Sequence, residues 1–288
     1  MKIEGDVDND FSRWSLRTQG RRSADMPPTE REATLVIWAK KSRELAERLA
    51  QLTQIGEYFL LSPRTQKIRD QFMDTPNGAL SSKKITLRIR RIDGDILLTM
   101  KGPEISSSSG PEVERPEIEA RWSRETWAKV STELRAVGIA LMPLRKGAET
   151  GDPEEALVEL MLLPTQYRET VRKSRNLVAR RDATNRVLAE LAIDSTAFRF
   201  NEPQDVWHYE VEVEVKSEGG LIAVRQVHQE LIELTGGKLR PWPHGKFLTG
   251  KAISRLLREG HLADHLDSEG TLRSSAYELI ARDIVNIG

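Results

Sequence analysis

Glu210, Glu212 and Glu214 alternate with Val211, Val213 and Val215 in the run HYEVEVEVK. A two-residue spacing puts the three carboxylates on one face of a β-strand. Taken alone, such a face is simply the wet side of a half-buried antiparallel strand. The same spacing recurs, however, for Glu30 and Glu32 in TEREATLVI and for Glu117 and Glu119 in RPEIEARW. Basic pairs repeat it too: Arg88 and Arg90 in LRIRR, Lys173 and Arg175 in RKSRN, with Lys101 closing DILLTMK. An ordinary solvated face mixes Thr, Ser, Gln and Lys, whereas here one sign is repeated within each strand. Adjacent like charges cost stability, so the pattern needs a reason.

The reason these residues support is a closed sheet with its charged faces turned inward around a water-filled cavity. The apolar partners Val211, Val213, Leu87, Ile89 and Ile118 then face outward beneath helices. Carboxylates hold Mg²⁺ or Mn²⁺, and guanidinium forks hold phosphate oxygens. A ligand that carries both metal and several phosphoryl groups, a polyphosphate, suits such walls. No Ser/His/Asp or Cys/His arrangement is evident, so a covalent intermediate is not expected.

Composition narrows the alternatives. The 288-residue chain has 44 Lys+Arg against 44 Asp+Glu, so no global field favours nucleic acid or a membrane surface. With no cysteine, neither disulfides, a thiol nucleophile nor a thiolate metal site is available. The five histidines show no HxxxH or HExxH spacing, and no zinc is assigned. RKSR and ARR alternate within strands and read as tunnel lining, not as a nucleic-acid patch. No signal-type leader or membrane-length apolar run is read, which points to a cytoplasmic chain without a membrane partner.

The elements that must position these residues are legible in outline. Residues 1–28 are polar and without period, as in a flexible extension, and SSSS at 106–109 reads as a loop. A strand is predicted at 30–38 and a helix at 41–54. Strands follow in IRDQFMDT, ITLRIRRI, DILLTMKG and EVERPEIEARW, with TPNG and DG as turns. Ser123 and Gly138 bracket a helix at 124–137, and Asp152 with Pro153 starts another. YRETVRKSRNLVARRD, RVLAELAIDSTAF and WHYEVEVEVKS supply further strands. Helices at 221–235, in GKFLTGKAISRLLREG and in SAYELIARDIVNI end the chain. The expected class is α+β: a tunnel domain over 29–258, then a helical segment over 259–288 that packs on it or forms a homodimer contact.

In this order the motifs resemble the CYTH superfamily of triphosphate tunnel metalloenzymes, which includes inorganic triphosphatases, thiamine triphosphatases and class IV adenylate cyclases. EREAT resembles the ExExK opening strand, and RDQFMDTPNGALSSKKITLRIRRIDGDILLTMKGP is similar to the YFDTP turn, the LRxR strand and a strand ending in Lys. RPEIE, the KxR pair at Lys173 and Arg175, LAIDS with Asp194, EVEVE and HGKFLTG, which resembles SKYxRG, complete the series from about residue 29 to 258. The resemblance implies a closed antiparallel eight-stranded β-barrel that binds a triphosphate with Mg²⁺ or Mn²⁺. It implies metal ligands among Glu30, Glu32, Glu117, Glu119, Glu210, Glu212 and Glu214, with Glu212 and Glu214 foremost. It implies phosphate binding by Arg88, Arg90, Lys101, Lys173, Arg175, Lys246 and Arg115, and catalytic roles for Glu30, Glu32, Arg88, Arg90 and Lys101. Thr34 stands where the motif has lysine, and Thr249 where it has arginine. A metal-dependent triphosphatase is therefore expected. Two readings stay open: a non-catalytic polyphosphate-binding module, and an ATP cyclase using Trp207, Trp242 or His208 at a base.

Overall fold

The computed structural model describes residues 28–105, 110–200 and 204–287. The extension expected before residue 28 and the serine loop at 106–109 lie outside the described residues. In chain order the elements are β1 (Thr29–Ile37), α1 (Ser42–Leu49), β2 (Gln54–Ile55), β3 (Tyr58–Asp74), α2 (Ala79–Ser82), β4 (Thr86–Ile92), β5 (Asp95–Lys101), β6 (Val113–Arg121) and α3 (Arg124–Ala136). There follow α4 (Pro153–Glu159), β7 (Leu163–Ala179), β8 (Ala189–Arg199), β9 (Val206–Val215), α5 (Gly220–Leu234), β10 (Leu239–Pro241), α6 (Lys246–Arg258) and α7 (Ser274–Ile287).

Local chemistry accounts for most boundaries. Asp93 and Gly94, both at positive φ (51° and 87°), make the two-residue turn that joins β4 to β5 with the right-handed twist of a hairpin. Ser123 caps α3 by accepting from the Thr126 amide at 3.1 Å, and Asp152 caps α4 by accepting from the Glu154 amide at 2.7 Å. After β3, the Asp74 carboxylate accepts from the amides of Thr75, Leu80 and Ser81 and so fixes α2. β3 is longer than the sequence pattern predicts, starting at Tyr58 and not near Ile68. A register shift between Leu61 and Arg64, with Ser62 at φ 52°, interrupts its alternation, and the proline at 63 further masks it.

Pairing runs antiparallel through β1, β6, β5, β4, β3, β7, β8 and β9, and β9 pairs back onto β1. The eight strands therefore close into a barrel as expected, with β2 and β10 as short additions. Outward-facing Val211, Val213, Leu35 and Leu191 pack under α1 and α5. On the other side Leu87, Ile89, Leu98 and Met100 pack under α3 and α4.

A third core closes one end of the barrel. There the inward face of the strands turns apolar at Val36, Phe198 and Val206, and these meet Ala252 and Ile253 of α6 and Ala276, Tyr277 and Ile280 of α7. Within the chain, α7 thus packs on α6 and on the apolar strand ends. Burying side chains of this size is worth about 1.5–3 kcal/mol each, enough to make the two helices an end wall. Among the described residues no helix is long and apolar enough to cross a membrane.

Close approach of α6 depends on Gly250. A Cβ there would fall 2.6 Å from Phe198 Cε1 and would also collide with the Gln166 side chain. Phe198 is fully buried and has nowhere to go. The overlap outweighs the roughly 1 kcal/mol that alanine gains over glycine in a helix. Gly250→Ala is expected to lower stability by a net 1–3 kcal/mol or so, read by urea denaturation.

Candidate functional site

The barrel encloses a cavity of about 1040 Å³. Among the described residues eleven acidic and eleven basic side chains line it, so its walls balance in charge. They are segregated. β4, β3 and β7 carry a cationic arc, whereas β8, β9, β1 and β6 carry most of the carboxylates.

The cationic arc is organised by Asp70, which is 1% exposed. Arg90 donates to both of its oxygens at 2.8 and 3.1 Å, and Arg168 donates twice to Oδ2 at 3.1 and 2.8 Å. Arg88 Nη1 stands 3.5 Å away. Burial alone would raise the Asp70 pKa, but Arg88, Arg90 and Arg168 outweigh it and hold the carboxyl well below its usual range. Burial pushes the Arg168 guanidinium down to about 10 against the pull of Asp70, which leaves it charged at neutral pH. Three guanidiniums around one carboxylate leave two positive charges uncompensated by Asp70. Arg168 also lies over the Phe72 ring, 4.7 Å from its centroid. The buried N–H groups at Arg88 Nε and Arg168 Nη1 have no hydrogen-bond partner among the described residues. An unspent buried donor costs about 1–3 kcal/mol, so a ligand that supplies acceptors here relieves that cost.

On the opposite arc, one carboxylate oxygen each from Asp194, Glu210 and Glu212 lie within 4.8 Å of one another. The Lys246 ammonium, from the first turn of α6, sits among them, 3.0 Å from Asp194 and paired with Glu210 and Glu212. Arg172 bonds to Asp194 at 2.9 and 2.7 Å and also to Glu212. Three carboxylates facing two cations are one charge out of balance. Accordingly burial, with Glu32 nearby, pushes the Glu212 carboxyl up to about 8. An all-oxygen donor set around a point that already accommodates a cation fits a hard divalent ion such as Mg²⁺ or Mn²⁺.

Between the arcs, Lys101 pairs with Glu30 and stands 3.5 Å from Glu117, and Arg115 pairs with Glu32 and stands 3.5 Å from Glu30. Glu119 accepts from Thr99 at 2.8 Å and lies 3.5 Å from both Arg88 and Arg90. Glu214 lines the cavity and pairs with Lys216 at 2.6 Å. The structure therefore brings Glu30, Glu32, Arg88, Arg90, Lys101, Arg115, Glu117, Glu119, Glu212, Glu214 and Lys246 to one cavity, with Glu210 buried in its floor.

Lys173 and Arg175 are not among them. Lys173 is exposed, and Arg175 donates outward to the Ala50 carbonyl at 3.3 Å. β7 carries basic residues in both phases, and the inward set is Arg168, Thr170 and Arg172. Sequence spacing alone fits either phase. The deciding signal is cross-strand: Arg172 lies opposite Asp194, and Arg168 opposite Asp70. Asp70 and Arg168 escaped the sequence reading because neither belongs to a same-sign pair.

Thr34 pairs in register with Glu212 and faces the acidic cluster without adding charge. Thr249 is fully buried and accepts from the Trp242 indole at 3.0 Å, a packing role. The aromatic residues considered for a nucleobase are also committed elsewhere. Trp207 stacks near Tyr209, Trp242 is 6% exposed against His244 and Tyr277, and His208 is fully buried. None of the three lines the cavity.

The chain matches the CYTH domain over residues 37–240. It belongs to the CYTH family. No curated protein matches it. Among solved structures, a Hippeastrum protein assigned as an adenylyl cyclase and found to have a dominant triphosphatase activity is 16% identical, with 80% of this chain and 96% of that one covered at a TM-score of 0.45. A Bacillus halodurans protein assigned as an adenylate cyclase is 16% identical, covering 75% and 93% at 0.42. The S. pombe RNA triphosphatase is 12% identical, covering 81% and 86% at 0.34. At such values the likeness carries no argument about the activity of this CYTH chain.

Asp70→Asn removes the common counter-charge of three buried guanidiniums and is expected to cost about 3–5 kcal/mol at neutral pH. Because the folded pKa of Asp70 is depressed, its contribution is present above the unfolded value near 3.8 and is lost as pH falls through the folded value. The gap between wild type and variant should narrow below about pH 4, measured by urea denaturation across pH.

Proposed function

We propose that the protein hydrolyses a small triphosphate, with Mg²⁺ or Mn²⁺, inside the barrel, releasing phosphate. The observation that carries this is the pairing, in one cavity, of a buried Arg88–Arg90–Arg168 cluster with unspent donors and an acidic wall at Asp194, Glu210 and Glu212. A triphosphate brings several negative charges into a cavity whose own charges cancel, so a divalent cation arriving with it restores the balance.

Each arc has a distinct task. Arg88, Arg90 and Arg168 hold non-bridging oxygens of the phosphate chain and stabilise charge spread over the phosphoryl group during transfer. Asp70 fixes the directions of those guanidiniums, so little reorganisation is needed when the substrate arrives. Lys101 and Arg115 bridge the two arcs and hold Glu30, Glu32 and Glu117 within reach of the ligand. Asp194, Glu210 and Glu212, with Glu32 and Glu214 beside them, would hold the metal, which would polarise phosphoryl oxygens and orient the attacking water. Lys246 places an ammonium against Glu212, the residue opposite Thr34, which supports turnover despite the missing motif lysine. The absence of Trp207, Trp242 and His208 from the cavity lining supports a phosphate chain over a nucleotide as the recognised group.

Phosphate release from inorganic triphosphate, thiamine triphosphate and ATP, with cyclic AMP followed in the ATP samples, tests the reading. Metal-dependent phosphate release is expected, and it should vanish in a Glu212→Ala plus Glu214→Ala variant. Triphosphate binding without phosphate or cyclic AMP would make the tunnel a receptor. Arg168→Ala should lower kcat/KM by roughly 30- to 1000-fold, as for loss of a buried donor to transition-state charge. Lys173→Ala, on the outer face, should leave it within about twofold.

A further inference from the structure

We propose that the C-terminal helix α7 positions the acidic wall: Tyr277 orients His208, and His208 holds Glu210 in the rotation that aims its other carboxylate oxygen at Asp194 and Glu212. This rests on the metal-dependent reading above.

The chain of contacts is continuous and buried. His208 is 0% exposed, and Glu210 and Tyr277 are each 1% exposed. His208 Nε2 lies 2.7 Å from Glu210 Oε2, and His208 Nδ1 lies 3.1 Å from the Tyr277 hydroxyl. The partners fix the proton positions. The assignment that gives every group a partner has Nε2 carrying the N–H and donating to Glu210. Nδ1 is then an acceptor and takes the tyrosine O–H. Glu210 Oε1, the oxygen left over, is the one paired with Lys246 at the convergence of the acidic cluster.

Each member is also held from outside. His208 and Glu210 are two apart on β9 and share its inner face. The Tyr277 ring packs against Trp38, Trp242 and the His208 ring itself, at centroid separations of 5.8, 5.5 and 5.7 Å. A carboxylate with one oxygen locked by a donor cannot swing to chelate with both, which sets its orientation toward any cation. Tyr277 lies well beyond residue 240, where the CYTH match ends. The floor of the cavity is thus finished by the segment that follows the matched domain.

The test is Mn²⁺ binding to the full chain, titrated by electron paramagnetic resonance of free Mn²⁺, with urea denaturation run alongside. His208→Leu removes the donor to Glu210 and should weaken Mn²⁺ binding about 10- to 100-fold. His208→Gln, whose amide still donates, should recover most of that loss. Tyr277→Phe deletes one hydroxyl and keeps the ring, and should weaken binding in the same direction by up to about tenfold. If His208→Leu fails to fold, Tyr277→Phe decides. Folded variants that bind Mn²⁺ within twofold of wild type overturn the positioning role while leaving the metal reading intact. Wild-type protein that takes up no Mn²⁺ overturns both.

Discussion

Asp70 among Arg88, Arg90 and Arg168 is the interaction on which the rest of the barrel depends. Closing a sheet around charged side chains takes those charges out of bulk water, and each stranded ion would cost several kcal/mol. The interior meets this cost by matching opposite signs across neighbouring strands, Arg90 to Asp70, Arg172 to Asp194 and Arg115 to Glu32. The match is complete in total but uneven in place. Local excess positive charge remains around Asp70, and a surplus of carboxyl groups over cations around Glu212. That unevenness is what leaves the cavity able to bind something.

The same constraint explains why the barrel has an end wall. Charged pairing ends where β1, β8 and β9 present Val36, Phe198 and Val206 inward, and apolar residues there need an apolar cover. α6 and α7 provide it, and α6 begins with Lys246, delivered directly into the acidic cluster. Packing and electrostatics are therefore joined at one helix: the contact of Gly250 with Phe198 fixes the height of α6, and that height sets where the ammonium stands.

Membership of the CYTH family agrees with the order of motifs along the chain, yet two positions inside those motifs differ from the pattern. Thr34 and Thr249 depart from the motif pattern, and the structure gives them different meanings. Thr34 faces the acidic cluster, opposite Glu212, whereas Thr249 is a buried partner of Trp242.

The sequence by itself determined that several strands bear one sign of charge on one face, that their apolar partners lie on the other, and that a closed antiparallel barrel satisfies both. It also put Glu30 and Glu32, Arg88 and Arg90, Glu117 and Glu119, and Glu212 and Glu214 pairwise on common strand faces, because same-face spacing within one strand is a local property with a period of two. Only the tertiary structure decided the phase of β7, which carries basic residues at both odd and even positions, so that Lys173 and Arg175 face out and Arg168 and Arg172 face in. It alone joined Asp70 to three guanidiniums, and Lys246, His208 and Tyr277 to the acidic wall. Those choices depend on which strands and helices become neighbours, and burial of charge selects the pairing only once the barrel has closed.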